Sequence, residues 1–191
     1  GKELGRVKNP FEHMGDLGEN DCTYIGNEHY LLVFEVFNKS SITLANKKGE
    51  VIWSKEYPYN MFQHGEYDCR KDVGIAGVAR DREGRKVYAC FVDWQGYMRW
   101  NVQLGISGDM KTRITNDNTK ILIMSTEGYI WCIEIKTGLF SWKYKHNWAR
   151  ESIDGYSFKM NDNVVEQDLR DMEIDNRFIY IIAKHILWNK S

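Results

Sequence analysis

The stretch that decides the fold class runs from Thr112 to Tyr144. It reads Thr112-Arg-Ile-Thr-Asn-Asp-Asn-Thr-Lys, then Ile121-Leu-Ile-Met-Ser-Thr, then Glu127-Gly-Tyr-Ile-Trp-Cys-Ile-Glu-Ile, then Lys136-Thr-Gly-Leu-Phe-Ser-Trp-Lys-Tyr144. Its apolar runs are too short for helices, and β-branched and aromatic residues fill them, as suits a pleated, half-buried surface. Asn-Asp-Asn, Glu-Gly and Lys-Thr-Gly separate the runs, and these are turn formers. The reading is four strands joined by tight turns, an antiparallel meander.

Working outward, similar units lie on both sides. A first unit has runs at 22–26, 30–37, 41–46 and 48–54, a second at 74–80, 87–94 and 96–102, and a fourth at 170–174, 178–183 and 185–188. Trp53, Trp100, Trp142 and Trp188 are spaced 47, 42 and 46 residues apart (100 − 53, 142 − 100, 188 − 142). The second strands open at Tyr30, Val87, Ile121 and Phe178, so units one and three, and units two and four, are each 91 residues apart (121 − 30, 178 − 87). Gly96-Tyr-Met-Arg-Trp100 looks like Gly128-Tyr-Ile-Trp131. A period in this range is the mark of a repeat architecture. Helix is expected only in short pieces, at 147–153 and 165–172. Two long connections remain, 57–72 and 145–165.

The segment Glu127 to Tyr144 resembles the repeat of quinoprotein-like (PQQ-type) β-propellers: a Gly, an aromatic residue, an alternating strand, a Lys-Thr-Gly turn and a Trp in the last strand. Asn46-Lys-Lys-Gly-Glu-Val-Ile-Trp-Ser54 is similar to the same strand-turn-strand edge. The resemblance covers one unit well and another in part. It implies an all-β chain: a single propeller-like domain over 1–191, built as a small array of about four antiparallel meander units, closed or incomplete, with a β-sandwich or barrel carrying propeller-like hairpins as the third option. Residues near 11–21 are candidates for completing the fourth unit. The resemblance concerns architecture only. Cofactor-binding members need about eight blades of ~40–50 residues each, and they carry a vicinal Cys-Cys pair that this chain lacks. No cofactor is expected.

Composition narrows the function. The chain has 191 residues, 42% of them hydrophobic, 28% charged and 14% aromatic, with net charge −1. Those fractions describe a folded chain, and near-neutrality argues against nucleic acid as a partner. No apolar run approaches the ~20 residues of a membrane helix. Cys22, Cys69, Cys90 and Cys132 lack metal-site spacing. Cys90 and Cys132 read as buried strand residues, whereas Cys22 and Cys69 sit in polar sequence where a disulfide is an open alternative. Reduced thiols and a cytoplasmic location are the expectation; because the chain opens on Gly1, a secreted or periplasmic location with a removed leader is the alternative. His13, His29, His64, His146 and His185 are scattered, there is no Gly-x-Ser-x-Gly elbow, and there is no phosphate loop. No catalytic residue and no metal ligand is assigned. Asn116-Asp-Asn118 and Asn161-Asp-Asn163 read as turns.

The remaining candidates are binding residues. Tyr59, Phe62, His64 and Tyr67 crowd the first long connection, and His146, Trp148, Arg150 and Tyr156 the second. Aromatic and Arg side chains are the types enriched at protein interfaces, and loops on a rigid scaffold often carry binding residues. Asp168, Asp171, Glu173 and Asp175, opposed only by Arg170, form an acidic patch suited to a basic partner. The expected function is therefore a non-catalytic binding module for another protein, of the immunity or regulatory-scaffold kind. The alternative is a carbohydrate-binding or glycan-processing protein, because Trp and Tyr also stack on sugars.

Overall fold

A computed structural model describes residues 20–25, 28–36, 39–62, 66–81, 83–105, 108–145, 165–174 and 179–187. Every regular element among them is a strand. The first sheet is a meander of β1 (Asn20–Tyr24), β2 (His29–Val36), β3 (Lys39–Asn46) and β4 (Val51–Tyr57). In the second, β7 (Gly74–Arg80), β8 (Val87–Asp93) and β9 (Met98–Gln103) follow an edge shared by β5 (Asn60–Met61) and β6 (Tyr67–Arg70), which both pair with β7. The third is β10 (Met110–Ile114), β11 (Lys120–Ser125), β12 (Tyr129–Glu134) and β13 (Phe140–Lys145), as the sequence predicts. The fourth holds β14 (Val165–Ile174) and β15 (Ile179–Leu187).

The sheets stack in chain order. β5 lies against β2 and β3, β10 against β6 and β7, and β14 against β10. The all-β, propeller-like array of meanders is thus the observed fold, and among the described residues the sheets do not close into a ring. Between sheets one and two, Leu31, Val33 and Ile42 meet Met61, Phe62, Ile75 and Val92. Between sheets two and three, Ala76, Val78 and Ala89 meet Ile121, Ile123, Trp131 and Ile133. β7 and β8 are covered on both faces, so they read as continuous apolar runs, whereas outer β4 alternates.

Three expectations are corrected. Residues 165–172 are strand, not helix: in β14 they pair antiparallel with β15, and cross-strand pairing overrides a weak helical periodicity. Residues 185–187 continue β15 rather than starting a third strand. The connection 57–72 is largely the inner edge of sheet two.

That edge is clipped to sheet three by polar side chains. The Glu66 carboxylate, buried at 4% exposure, accepts both guanidinium nitrogens of Arg80 and the Met110 N–H at 2.9 Å. The Glu66 carbonyl accepts the Thr112 hydroxyl at 2.9 Å. Asp68 accepts the Ile114 N–H at 2.7 Å, and Arg70 donates to the Ile114 carbonyl at 2.7 Å and the Thr115 carbonyl at 3.1 Å. Exposed backbone at the mouth of β10 is thereby satisfied from the neighbouring sheet.

Candidate interaction surface

The junctions between sheets repeat one device. In β4, Trp53 donates its indole N–H to the Trp94 carbonyl at 2.9 Å, and its ring lies on Gly96, where a β-carbon would come within 2.9 Å. In β9, Trp100 donates to the Ile135 carbonyl at 2.7 Å and lies on Gly138, where a β-carbon would also come within 2.9 Å. Both glycines have left-handed backbone, φ 79° and 71°. They have two reasons to be glycine: the turn needs positive φ, and the Trp needs the space. Tyr57 adds a hydroxyl donated to the Gly96 carbonyl at 2.8 Å, and burial, helped by Cys90 and Asp93, pushes its phenol well above the usual range.

A one-residue bulge precedes each tryptophan. Leu44 pairs with Trp53 but Ala45 with Val51, Phe91 with Trp100 but Val92 with Met98, and Cys132 with Trp142 but Ile133 with Phe140. The bulge re-aims the strand at each Trp, and Trp53 and Trp100 reach the next sheet. The structural repeat is therefore Gly49…Trp53, Gly96…Trp100 and Gly138…Trp142, each Trp four residues after its glycine. The likeness between Gly96-Tyr and Gly128-Tyr joins different turns: Gly128 lies between β11 and β12, not between the last two strands.

The third tryptophan breaks the pattern. Every residue of β13 is exposed. Trp142 is 40% exposed, with Tyr144 at 52% and Leu139 at 67% beside it, whereas Trp53 and Trp100 are half-buried in their seats. By register, Trp142 and Tyr144 lie opposite Cys132 and Ile130. Lys143 and Lys145 take the other side, with ammonium groups 4.8 and 4.6 Å from the Tyr129 ring centre. Deeper on the Trp142 side, Leu122, Met124, Ile130 and Cys132 are buried. This face is covered at its inner strands and open at its outer one.

Those predicted binding residues that the structure describes fall elsewhere. Tyr59 is half-buried, its ring 5.8 Å from that of Tyr88 and its hydroxyl accepting the Asn101 amide at 3.3 Å. Phe62 (1% exposed) and Tyr67 (7%) are core residues whose rings pack 5.4 Å apart between sheets one and two, with the Tyr67 hydroxyl bonded to that of Thr23. Asp168, Asp171 and Glu173 are placed on β14, where the register shifts between Leu169 and Asp171. His64, His146, Trp148, Arg150, Tyr156 and Asp175 lie outside the described residues. The structure brings Phe62 and Tyr67 together and points to Trp142 and Tyr144, which sequence reading took as repeat residues only. Cys90 and Cys132 are buried as expected, Cys69 is half-buried and Cys22 is exposed. Among the described residues no cluster of His, Cys, Asp or Glu could hold a metal, and no helix is long and apolar enough to cross a membrane.

No family model and no curated protein matches the sequence. Solved structures do. BamB from Moraxella catarrhalis superimposes with a TM-score of 0.51 at 15% identity, over 83% of this chain and 42% of that one. The Neurospora crassa Pan2 WD40 domain does so with a TM-score of 0.52 at 13% identity, over 75% of this chain and 44% of that one. This chain spans less than half the length of either. At such identity the likeness is one of fold, and the fold it establishes is that of a β-propeller array.

Proposed function

We propose that this chain is a non-catalytic module that binds another protein through the outer face of its third sheet. One observation carries the reading: Trp142 and Tyr144 stand exposed on β13, an edge strand of its sheet, at the place where both preceding sheets seat the equivalent Trp half-buried on the next turn. Exposed aromatic side chains held by packed backbone lose little entropy on binding and are frequent interface anchors. The propeller-like fold of BamB and the Pan2 WD40 domain supports a scaffold role in general terms. On this reading the contact lies on the third sheet rather than on the connection at 57–72, whose Phe62 and Tyr67 are core residues. The test is affinity capture from a lysate of the source organism with the purified protein and with Trp142→Ala. One stoichiometric protein retained by the wild type and lost by the variant supports the reading. Retention only on polysaccharide, or capture unaffected by the substitution, overturns it.

A further inference from the structure

We infer that the partner's docking element is a β-hairpin whose turn carries a left-handed glycine, and that it binds by completing the fourth sheet. This rests on the protein-binding reading above and states the chemistry of the partner. Three observations converge. First, the chain shows twice what seats a Trp at this position: the turn between the last two strands of the following sheet, offering a left-handed glycine for the ring and a carbonyl two or three residues earlier for the indole N–H. Second, Trp142 is presented by the same bulge, and the sheet that follows it consists of β14 and β15 alone among the described residues, two strands short of its neighbours. Third, among the described residues β15 pairs only with β14, so that within them nine residues of backbone along its outer edge are a template for a further strand. A hairpin added to β15 would occupy the position of the last two strands of a full unit, and its turn would lie against Trp142.

The chain itself holds a suitable probe. The turn at 46–50 copies the one that receives Trp53. In both, the first side chain caps two backbone N–H groups: Asn46 Oδ1 accepts from Lys48 and Glu50 at 2.9 and 3.0 Å, and Asp93 Oδ1 from Gln95 and Tyr97 at 3.0 and 2.8 Å. In both, the glycine N–H donates to the first carbonyl at 2.9 Å, and the glycine is left-handed, φ 80° at Gly49 and 79° at Gly96. The β3–β4 hairpin is therefore a preformed seat for a tryptophan.

The experiment uses a head-to-tail cyclised peptide of residues 39–57, which holds the hairpin closed, labelled with a fluorophore and titrated with the full chain by anisotropy. Saturable binding is expected. Trp142→Ala in the protein and, separately, Gly49→Val in the peptide should each weaken it by on the order of 30-fold, the loss of one anchor residue. Amide hydrogen exchange should show new protection along β15 when the peptide is bound. Absence of saturable binding, binding that both substitutions leave unchanged, or binding without protection of β15 overturns the inference. If the peptide fails while lysate capture still depends on Trp142, the hairpin is wrong and the protein-binding reading stands.

Discussion

Gly138→Ala tests the Trp–Gly junction that organises the array. Two costs are expected. The alanine must hold φ near 71°, and left-handed backbone costs an L residue about 1–2 kcal/mol. Its β-carbon would also sit 2.9 Å from Cγ and Cδ2 of Trp100 and 3.3 Å from its Cβ. Those are inner ring atoms rather than a flexible tip, so the whole indole must move. Movement strains the 2.7 Å bond to the Ile135 carbonyl, about 1 kcal/mol net, and loosens the stack on Phe91, whose ring centre lies 5.9 Å away. The sum is about 2–4 kcal/mol. Gly84→Ala is the internal control: φ is 68°, but nothing lies within 4 Å of the added carbon, so only the backbone cost of about 1–2 kcal/mol applies. Urea unfolding of the wild type, both single variants, Trp100→Ala and the Trp100→Ala/Gly138→Ala double variant separates the terms. In the Trp100→Ala background, Gly138→Ala should cost no more than Gly84→Ala does in the wild type. Equal costs for the two glycine variants in the wild-type background would refute the reasoning, because the indole contact would then contribute nothing.

The other predictions concern single groups. Glu66→Ala leaves Arg80 without its carboxylate and the Met110 N–H unpaired, and should cost about 3 kcal/mol in chemical unfolding, the lower end for a broken buried ion pair because Arg80 keeps some exposure; a loss below about 1 kcal/mol would show the clip to be dispensable. The Asp117 carboxylate accepts hydrogen bonds from the hydroxyls of Thr115 and Thr119 and the Thr119 N–H, which lower its pKa from 3.8 to about 2. The folded turn favours the ionised form, so this contribution to stability is complete above the ordinary carboxylate range and is lost as pH falls toward 2. A carboxyl NMR titration with its midpoint near 3.8 would contradict it. Cys22 is exposed and should react with a thiol reagent in the folded protein, whereas Cys90, whose thiol burial pushes far above its usual range, should react only after unfolding; labelling at equal rates would show that the core opens readily.

Much of the architecture was legible in short-range pattern. β10 to β13 follow from apolar runs and turn residues because hairpin geometry is local: loop length and glycine position select the turn, and the turn selects the register. The recurrence of tryptophan likewise signalled a repeat. What local pattern could not supply was its phase. Gly96-Tyr pairs by eye with Gly128-Tyr, but the bulges show that Gly49, Gly96 and Gly138 are the equivalents, because only there is the glycine turn followed by a bulge and a Trp. The aromatic crowd at 57–72 was also ambiguous. Phe62 and Tyr67 have the chemistry of a binding loop, and their burial depends on β2, β3 and β7 packing over them from elsewhere in the sequence.

The sequence by itself determined that this is an all-β chain of repeated meanders, since period-two patterning and turn chemistry act over a few residues. The tertiary structure alone decided which aromatic side chains are core and which are surface. Trp53, Trp100 and Trp142 occupy the same place in the same motif, and that shared motif does not distinguish them. Their environments differ because two of them meet a glycine turn from the following sheet and the third meets none among the described residues. Burial is a property of what packs against a residue, and here the packing partner comes from some forty residues farther along the chain.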